Sequence, residues 1–346
     1  MNYTAVLDRF GCLIEDDLKR QFDQLRKEAK DYHPFMGEVY DAAEEFVLRG
    51  GRRLSSCSAL MVYKGYTNEI NDGVVRACSG VELYRHSILV HDDIADTELQ
   101  RRGGKTLHKI FEERQDEHFG IGSAIFIGNI LYSLAIRAVL ESGFDSGRQV
   151  EVTKRLSSDF KDINESQILD LLFEYKEPTV DEWTIMASKR AASLFRTSLL
   201  TGAILASAPE KDYRILEDAG RHIGYAFDIQ DDIIDTFASE DQYGRVPCGD
   251  ITKRKKPLHL ILALAKDENR RLAKIMESGN IIAGDDIKDI QDLIRDCGAL
   301  EEAKSISRNH AREAARLIPE TEMNEEAKDF FVSFISYVAG SLDWYK

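Results

Sequence analysis

Proline, paired cysteines and long apolar runs are all scarce in this chain of 346 residues. With only 6 prolines, helices can run for long stretches without interruption. The 5 cysteines are scattered and form no CxxC pair, which disfavours a zinc or redox motif and favours ordinary thiols in a reducing compartment. The amino terminus lacks the pattern of a signal peptide, and we expect no stretch to approach the roughly 18 to 20 apolar residues of a membrane span. These absences predict a cytoplasmic protein without stable membrane insertion.

Positive charge is also in short supply. Lys and Arg number 46 against 61 Asp and Glu, which gives a formal net charge of -15. Such a balance disfavours nucleic acid and anionic lipid as partners, because both are polyanions. Any anionic ligand must therefore be bound by a local cluster of basic residues.

Helical periodicity dominates the chain. Segments such as "VVRACSGVELYRHSILVHDDIADT" and "EWTIMASKRAASLFRTSLLTGAILASA" repeat apolar residues every three or four positions, whereas alternating strand patterns are scarce. No low-complexity linker divides the sequence, so we predict an all-α fold of ten or more helices in a single domain, residues 1–346. Breaks are expected near Gly50-Gly51, Gly103-Gly104, Pro178, Ala208-Pro209, residues 243–257 and residues 279–284.

Two acidic motifs stand near the ends of strongly apolar predicted helices. The first is "HDDIADTELQRRGG", residues 91–104, in which Asp92 and Asp96 share one helix face. The second is "FDIQDDIID", residues 227–235, whose acids form one stripe: Asp228, Asp231, Asp232 and Asp235. Crowded carboxylates need nearby cations, and hard oxygen ligands of this kind suit Mg²⁺ shared with substrate phosphates.

A third acidic segment gives a useful contrast. "GDDIKD", residues 284–289, also contains DDxxD, but its acids follow a glycine at a predicted helix start and no basic cluster comes after it. Acidic residues at a helix start are stabilised by the helix dipole. We therefore interpret Asp285, Asp286 and Asp289 as structural residues.

Three basic clusters lie in predicted loops. Arg101 and Arg102 follow the first acidic motif and continue into Gly103-Gly104-Lys105, and the other two clusters are "RGGRR" at 49–53 and "GRVPCGDITKRKK" at 244–256. Guanidinium groups bind diphosphates by paired hydrogen bonds, and a glycine-containing loop can bring its backbone close to the ligand. Together the clusters indicate anion sites around the acidic helices.

The order of these motifs resembles that of the trans-type isoprenyl diphosphate synthases, the polyprenyl synthetase family. That family has a GGKR-like segment, DDxxD followed by RRG, QxxD, a KT pair, FQxxDDxxD and a lysine-rich lid. The corresponding segments here are "GGRR" at 50–53, "DDIAD" with "RRG", "QILD" at 167–170, "KR" at 189–190, "FDIQDDIID", and Gly244-Arg245 with Asp250 and Lys255.

The resemblance implies an all-α helical bundle of the isoprenoid synthase type around a deep central cavity, usually as a homodimer. It implies a prenyltransferase that condenses isopentenyl diphosphate with an allylic diphosphate. The residues implied to bind several Mg²⁺ ions are Asp92, Asp96 and Asp231, helped by Asp93, Asp232 and Asp235. The implied catalytic residues are Asp92, Asp96, Asp231, Lys189 and Arg101.

The same resemblance implies two diphosphate sites. Isopentenyl diphosphate would be held by Arg52, Arg85 and Arg102. The allylic diphosphate would be held by the metal ions together with Arg101, Lys189, Arg245 and Lys255, with Gln167 lining the site. Asp228 is a further candidate substrate-binding residue.

The chain departs from the family pattern at several of these positions. The usual Lys of the first basic segment is Arg52, the Arg three positions on is Ser55, and Arg85 replaces the usual His or Gln, so we expect Arg85 to supply the charge missing at Ser55. Arg190 replaces Thr and Asp228 replaces Gln, which predicts an ion pair between these two residues. Arg245 replaces Lys, which keeps the charge and changes the geometry.

Product length is expected to depend on the helix before the first acidic motif. In the family, aromatic residues four or five positions ahead go with a fifteen-carbon product, but these positions are Ile88 and Ser87 here. The cavity should then extend toward Val81 and Tyr84, with Tyr84 as its floor. This predicts a product of twenty carbons, with twenty-five as the next choice.

Three alternative functions account for part of this motif pattern. A class I terpene cyclase shares DDxxD, but its second metal motif normally mixes Asn, Ser or Thr with Glu. An HD-type phosphohydrolase would use His86 or His91 but leaves RRG unexplained, and we expect His91 to pack or cap locally. An inactive or regulatory subunit of a heteromeric prenyl synthase is suggested by Ser55, Arg190 and Asp228, while the intact acidic motifs argue against it.

Overall fold

The computed structural model describes residues 3–239, 248–277, 282 and 284–341. Within these residues the chain forms fifteen α-helices, one short 3₁₀ helix at Ile318–Glu320, and two antiparallel strands of two residues each, β1 (Gln100–Arg101) and β2 (Gly104–Lys105). The helices are α1 Tyr3–Tyr32, α2 Pro34–Leu48, α3 Leu54–Thr67, α4 Asp72–Ala95, α5 Leu107–Glu112, α6 Glu117–Leu140, α7 Ser146–Glu174, α8 Val180–Ala206, α9 Glu210–Phe237, α10 Gly249–Thr252, α11 Leu258–Ala265, α12 Arg271–Glu277, α13 Asp285–Asp296, α14 Ala299–Leu317 and α15 Glu325–Ser341. The all-α prediction is confirmed.

The chain divides into two compact units. The first comprises Met1–Phe160, Thr197–Tyr213 and Glu322–Phe330, and the second comprises Lys161–Arg196, Arg214–Thr321 and Phe331–Lys346. Helices α7, α8, α9 and α15 each contribute residues to both units. The single-domain interpretation stays a prediction.

In the first unit, α4 packs against α6 and carries the first acidic motif at its carboxyl end. Most of α4 between Val74 and Val90 is buried, as the apolar periodicity predicted. Close packing depends on Gly128 of α6, because a Cβ there would lie 2.4 Å from Nε2 of His91. His91 therefore packs locally, with Nε2 3.3 Å from the carbonyl oxygen of Ile125.

In the second unit, the buried face of α9 positions the second acidic motif. Ile229 and Ile233 are fully buried in an apolar cluster that includes Trp183 and Leu260. Because these residues occupy one side of α9, Asp231 on another side is exposed.

The predicted helix breaks are mostly confirmed. The chain leaves the helical conformation between α2 and α3 at Gly50-Gly51, between α7 and α8 around Pro178, and between α8 and α9 at Ala208-Pro209. The acids of "GDDIKD" do lie at a helix start, since α13 begins at Asp285 with Gly284 before it. Residues 240–247, 278–281 and 283, which include parts of two predicted breaks, lie outside the described residues.

Helix α6 corrects one expectation. It has 24 residues, and an 18-residue window within it has a mean hydropathy of 1.8, so by length and composition it could cross a membrane. The segment from Phe119 to Ile136 has no charged residue, although Gly, Ser and Asn interrupt its apolar run. One such helix is weak evidence for a span, because a core helix of a soluble protein can have the same composition, and 33% of the window is buried.

Candidate active site

The first acidic motif lies at the end of α4, where the helix opens into the hairpin β1–β2. Asp96 caps the helix, and its backbone N–H donates to the carbonyl oxygen of Asp92 at 2.8 Å. Asp92 and Asp96 are half-buried, whereas Asp93 is buried. The structure thus brings the two predicted metal ligands of this motif one helical turn apart.

Arg101 is held directly against this motif. Its Nε donates to Oδ1 of Asp93 at 2.6 Å, and its Nη2 donates to Oδ2 of Asp92 at 3.3 Å. Burial raises the pKa of Asp93 to about 7, although the charge of Arg101 opposes that shift. Acidic and basic residues of this segment are therefore in direct contact in the fold.

The RRGG segment forms a β-hairpin, a detail that the helical sequence pattern did not predict. Gln100 pairs with Lys105 and Arg101 with Gly104, and the turn is formed by Arg102 and Gly103, whose φ angles are 51° and 77°. Two successive positive φ angles are typical of a type I′ turn, in which glycine is favoured. The hairpin fixes the direction in which Arg102 leaves the backbone.

The "GGRR" segment places its two arginines differently. Arg52 is exposed, whereas the side chain of Arg53 is only 1% exposed and lies 3.2 Å from Oε1 of Glu82. Arg53 also donates to the carbonyl oxygen of Val47 at 2.6 Å. Arg53 is thus a buried structural residue, and Arg52 remains the candidate ligand of this loop.

Other candidate residues of the first unit are placed as follows. Arg85 is half-buried on α4, and the substituted position Ser55 is buried on α3. The charge compensation between Arg85 and Ser55 stays a prediction. His86, next to Arg85, is fully buried, and desolvation lowers its pKa to about 4.

In the second unit, the ion pair predicted between Arg190 and Asp228 is present. Nη2 and Nε of Arg190 lie 2.9 and 3.2 Å from Oδ2 of Asp228. Arg190 also donates to Asp170 at 3.2 Å and lies 3.8 Å from Oδ2 of Asp232. One guanidinium therefore faces three carboxylates, two of them in the acidic stripe.

Lys189, by contrast, contacts carboxylates outside the second acidic motif. Its Nζ lies 3.1 Å from Oδ1 of Asp162 and contacts the carboxylate of Glu165, both on α7. Successive residues on a helix are about 100° apart, so Lys189 and Arg190 leave α8 on different sides. Among the contacts of these two residues in the described structure, those to the second acidic motif come from Arg190.

Asp235, a predicted metal ligand, is engaged by the backbone that follows α9. It is buried, and its Oδ2 accepts a hydrogen bond from the N–H of Asp250 at 3.0 Å. Its carbonyl oxygen accepts another from Cys248 at 2.7 Å. These bonds give Asp235 a structural role at the start of α10, which the DDxxD pattern did not reveal.

The remaining candidates of this unit lie beside the ion-pair network. Lys255 has its Nζ 3.8 Å from Oδ2 of Asp170, and its side chain is 14% exposed. Gln167 is half-buried on α7, one turn before Asp170. Gly244 and Arg245 lie outside the described residues.

The carboxylate oxygens of the two acidic motifs meet some of the requirements of a site for a hard cation. Buried Oδ2 atoms of Asp93 and Asp232 have no hydrogen-bond partner among the described residues. Burial also raises the pKa of Asp232 well above its ordinary value. Within the same residues, no three His, Cys, Asp or Glu side chains converge into a ready-made metal cage. Carboxylate oxygens are the protein ligands that Mg²⁺ prefers, together with waters and substrate phosphates.

The chain-length candidates line one part of α4. Tyr84, Ser87 and Ile88 are all buried. The ring of Tyr84 meets that of Phe160 edge to face at 6.1 Å, and Phe160 stacks on Tyr132 at 4.2 Å. Tyr84 is thus part of an aromatic cluster two helical turns before Asp92.

Comparison with known proteins finds relatives that cover most of the chain. A polyprenyl synthetase family model matches residues 37–294. A short chain isoprenyl diphosphate synthase of Methanocaldococcus jannaschii is 29% identical over 290 residues, covering 83% of this chain and 85% of that protein. A geranylfarnesyl diphosphate synthase of Natronomonas pharaonis is 26% identical and covers 85% and 89% of the two chains.

Solved structures agree at the level of the fold. The crystal structure of a geranylgeranyl pyrophosphate synthetase from Pyrococcus horikoshii superposes with a TM-score of 0.82 at 25% identity, covering 98% of this chain and 99% of the other. The family model spans most of the chain and includes both acidic motifs. The chain therefore belongs to the polyprenyl synthetase family and is a prenyltransferase.

Proposed function

We propose that the protein condenses isopentenyl diphosphate with an allylic diphosphate, in the presence of Mg²⁺, to give an all-trans polyprenyl diphosphate. The observation that carries the proposal is the arginine at each acidic motif: Arg101 at Asp92 and Asp93, and Arg190 at Asp228. A diphosphate needs both metal ligands and guanidinium donors, and each motif offers both.

The chemistry rests on the leaving group. An allylic C–O bond ionises when the charge of the departing diphosphate is stabilised, and bound Mg²⁺ would supply most of that stabilisation. Asp92, Asp96 and Asp231 would hold the metal, helped by Asp93 and Asp232, each of which has a buried oxygen without a hydrogen bond among the described residues. Asp235 contributes to the shape of the site through its backbone contacts.

The basic residues would hold the two diphosphates directly. For the allylic substrate we propose Arg101, Arg190 and Lys255, together with Arg245; Arg190 takes the part first expected of Lys189 because it faces Asp170, Asp228 and Asp232. For isopentenyl diphosphate we propose Arg52, Arg85 and Arg102, with Gln167 lining the reaction space. The double bond of isopentenyl diphosphate then attacks the allylic cation, and loss of a proton completes the condensation.

The product is proposed to have twenty carbons, with twenty-five as the next choice. Positions 87 and 88 carry Ser and Ile, and neither side chain is aromatic, which supports a cavity that extends to Tyr84. The relatives' names include geranylgeranyl and geranylfarnesyl diphosphate synthases, which supports this proposal, and also a farnesyl diphosphate synthase.

The protein is proposed to act in the cytoplasm as a homodimer. Exposed apolar residues on α6 support an interface with a second copy, since Phe126 is 67% and Ile125 40% exposed. Sedimentation of the purified protein should give the mass of two chains, and a monomer at micromolar concentration would contradict the dimer.

Product sizing tests the proposal. Purified protein is incubated with labelled isopentenyl diphosphate, Mg²⁺ and each allylic primer in turn, and the products are separated by length. We expect a twenty-carbon diphosphate that is lost when a chelator removes the metal. An inactive or regulatory subunit would give no product alone, and a terpene cyclase would give a cyclic hydrocarbon from the allylic diphosphate without consuming isopentenyl diphosphate.

A further inference from the structure

Two basic loops of the first unit are joined by a reciprocal pair of arginines, here called the arginine clasp. Arg49, at the end of α2, donates from Nη1 to the carbonyl oxygens of Arg101 at 2.9 Å and Lys105 at 3.0 Å. In return, Arg102 at the hairpin turn donates from Nη1 to the carbonyl oxygens of Arg49 at 3.3 Å and Gly50 at 3.1 Å. The loop at 49–53 and the hairpin β1–β2 are therefore bound to each other in both directions.

The clasp fits because each arginine lies against a glycine. A Cβ added to Gly104 would lie 2.3 Å from Cζ of Arg49, and one added to Gly51 would lie 2.8 Å from Cζ of Arg102. Both distances are shorter than a van der Waals contact. The two glycine pairs of the sequence thus make room for guanidinium groups of the protein itself.

Four of the five guanidinium N–H donors of Arg49 bind other groups of the protein. Its Nε donates to Oε1 of Glu45 at 2.8 Å, its Nη2 contacts the same carboxylate, and its Nη1 is used by the hairpin. The side chain is only 11% exposed and lies over the ring of Phe46 at 5.6 Å. Arg49 is therefore suited to hold other residues in place.

Arg102 is held at one end only. Its hydrogen bonds within the described structure run through Nη1, which also lies 3.4 Å from Nε2 of His86. With its proton on Nδ1, His86 donates to the carbonyl oxygen of Glu82 at 2.9 Å and turns the lone pair of Nε2 toward Arg102. The Nε and Nη2 donors of Arg102 remain available to an anion.

A hairpin of this size needs such support. Two strands of two residues each are marginal on their own in water. The charges of Arg53, Arg85 and Arg101 also repel that of Arg102 at the turn. We propose that Arg49 is a positioning residue: through the clasp it fixes the hairpin on the loop at 49–53 and so preassembles one diphosphate site from Arg52 and Arg102. This inference rests on the proposed function, because it assigns isopentenyl diphosphate as the ligand of that site.

Kinetics of an Arg49→Ala variant test the positioning role. We expect the KM for isopentenyl diphosphate to rise about tenfold, the equivalent of ordering one or two side chains on binding. The KM for the allylic substrate should rise less, because Arg101 of the same hairpin is also held by Asp92 and Asp93. Arg49→Lys keeps the charge but not the forked donors, so its KM for isopentenyl diphosphate should lie between those of wild type and Arg49→Ala. Calorimetric titration with isopentenyl diphosphate should show the same loss of affinity without turnover.

Arg148→Ala is the matched control. Arg148 also pairs with a carboxylate, that of Asp145, donates to a backbone carbonyl, that of Leu205 at 2.7 Å, and lies over an aromatic ring, Phe144 at 4.8 Å. It has no contact with the hairpin among its described bonds. We expect Arg148→Ala to lose about as much stability as Arg49→Ala, but with an unchanged KM for isopentenyl diphosphate.

A second variant disrupts the arginine clasp by a substitution in the hairpin. In Gly104→Ala the new Cβ should displace the guanidinium of Arg49, so the KM for isopentenyl diphosphate should rise as in Arg49→Ala, and the double variant should be no worse than either single one. Gly122→Ala on α6, where a Cβ meets open space, serves as the control. This variant keeps the test open if Arg49→Ala does not fold.

The outcomes are distinct. An unchanged KM for isopentenyl diphosphate in folded Arg49→Ala or Gly104→Ala, or strictly additive effects in the double variant, would overturn the positioning role and leave the proposed function intact. A wild-type protein that consumes no isopentenyl diphosphate would instead overturn the proposed function.

Discussion

Arg190 and Lys189 are adjacent in the chain, but they contact different carboxylates. Arg190 faces Asp170, Asp228 and Asp232, whereas Lys189 pairs with Asp162 and Glu165. The side chain of Arg190 is 18% exposed and that of Lys189 39%. At the residue scale, burial and the number of carboxylate partners distinguish two neighbouring cations.

Replacing these two residues should therefore have unequal effects. Arg190→Ala leaves three carboxylates without their shared cation, so we expect the free energy of unfolding to fall by about 3 kcal/mol and the KM for the allylic diphosphate to rise at least about tenfold. Lys189→Ala should change both quantities little, because exposed ion pairs contribute little. Denaturant titration and steady-state kinetics measure the two effects.

Removing the partner carboxylate provides the control for this prediction. The double variant Arg190→Ala, Asp228→Ala should recover part of the lost stability, because fewer unpaired charges remain. If Lys189→Ala raised the allylic KM more than Arg190→Ala, the assignment of Arg190 to the allylic site would be wrong.

At the scale of the element, helix α4 carries both the acidic motif and the candidate floor of the cavity. Tyr84, Ile88 and Asp92 recur every four residues, so they lie along one side of the helix. Tyr84 is about 12 Å from Asp92 along the axis, since each residue adds about 1.5 Å. The length of product that fits should therefore depend on the side chain at position 84.

Shortening that side chain should lengthen the product. In Tyr84→Ala the ring that meets Phe160 is removed, and we expect the main product to gain at least one five-carbon unit, as seen by chromatography of the dephosphorylated products. Tyr63→Ala is the matched control, because Tyr63 is also buried and meets Phe144 edge to face at 5.8 Å. It should reduce stability without changing product length. Equal product lengths in Tyr84→Ala and wild type would remove Tyr84 as the floor.

At the scale of the whole molecule, buried histidines should make the fold sensitive to acid. Desolvation lowers the pKa of His259 to about 3 and that of His86 to about 4. The unfolded chain binds a proton at each of these residues below about pH 6.5, whereas the folded chain does not until the lowered pKa is reached. Their contribution to stability is thus complete above pH 6.5 and is lost as the pH falls. The raised pKa of Asp93 acts in the opposite direction.

A His259→Gln variant isolates one of these contributions from the rest. His259 is fully buried with Nε2 2.8 Å from Oγ1 of Thr236, so the variant should be less stable than wild type at pH 7. The difference should shrink by about 2 kcal/mol between pH 7 and pH 5, because only the wild-type unfolded state gains the proton. Denaturant titrations at both values measure it, with exposed His118→Gln as the control. A stability difference that does not change with pH would contradict this account.

The amino-acid sequence by itself determined the helical fold, the helix breaks at Gly and Pro, and the order of the motifs. These features depend on local periodicity and turn chemistry, which neighbouring residues in the chain fix. The sequence also predicted the pair Arg190–Asp228, because a paired change of charge at two positions implies contact. It did not predict the hairpin, since two-residue strands leave no periodic pattern.

Only the tertiary structure decided which side chains meet. It directed Arg190 rather than Lys189 to the acidic stripe, engaged Asp235 with the backbone of Asp250, and joined Arg49 to a hairpin more than fifty positions away in the chain. DDxxD and GGRR name residue types, but packing sets the angle at which each side chain leaves its helix. Contacts between distant segments depend on that angle to within a few ångströms, and residue spacing alone does not carry that information.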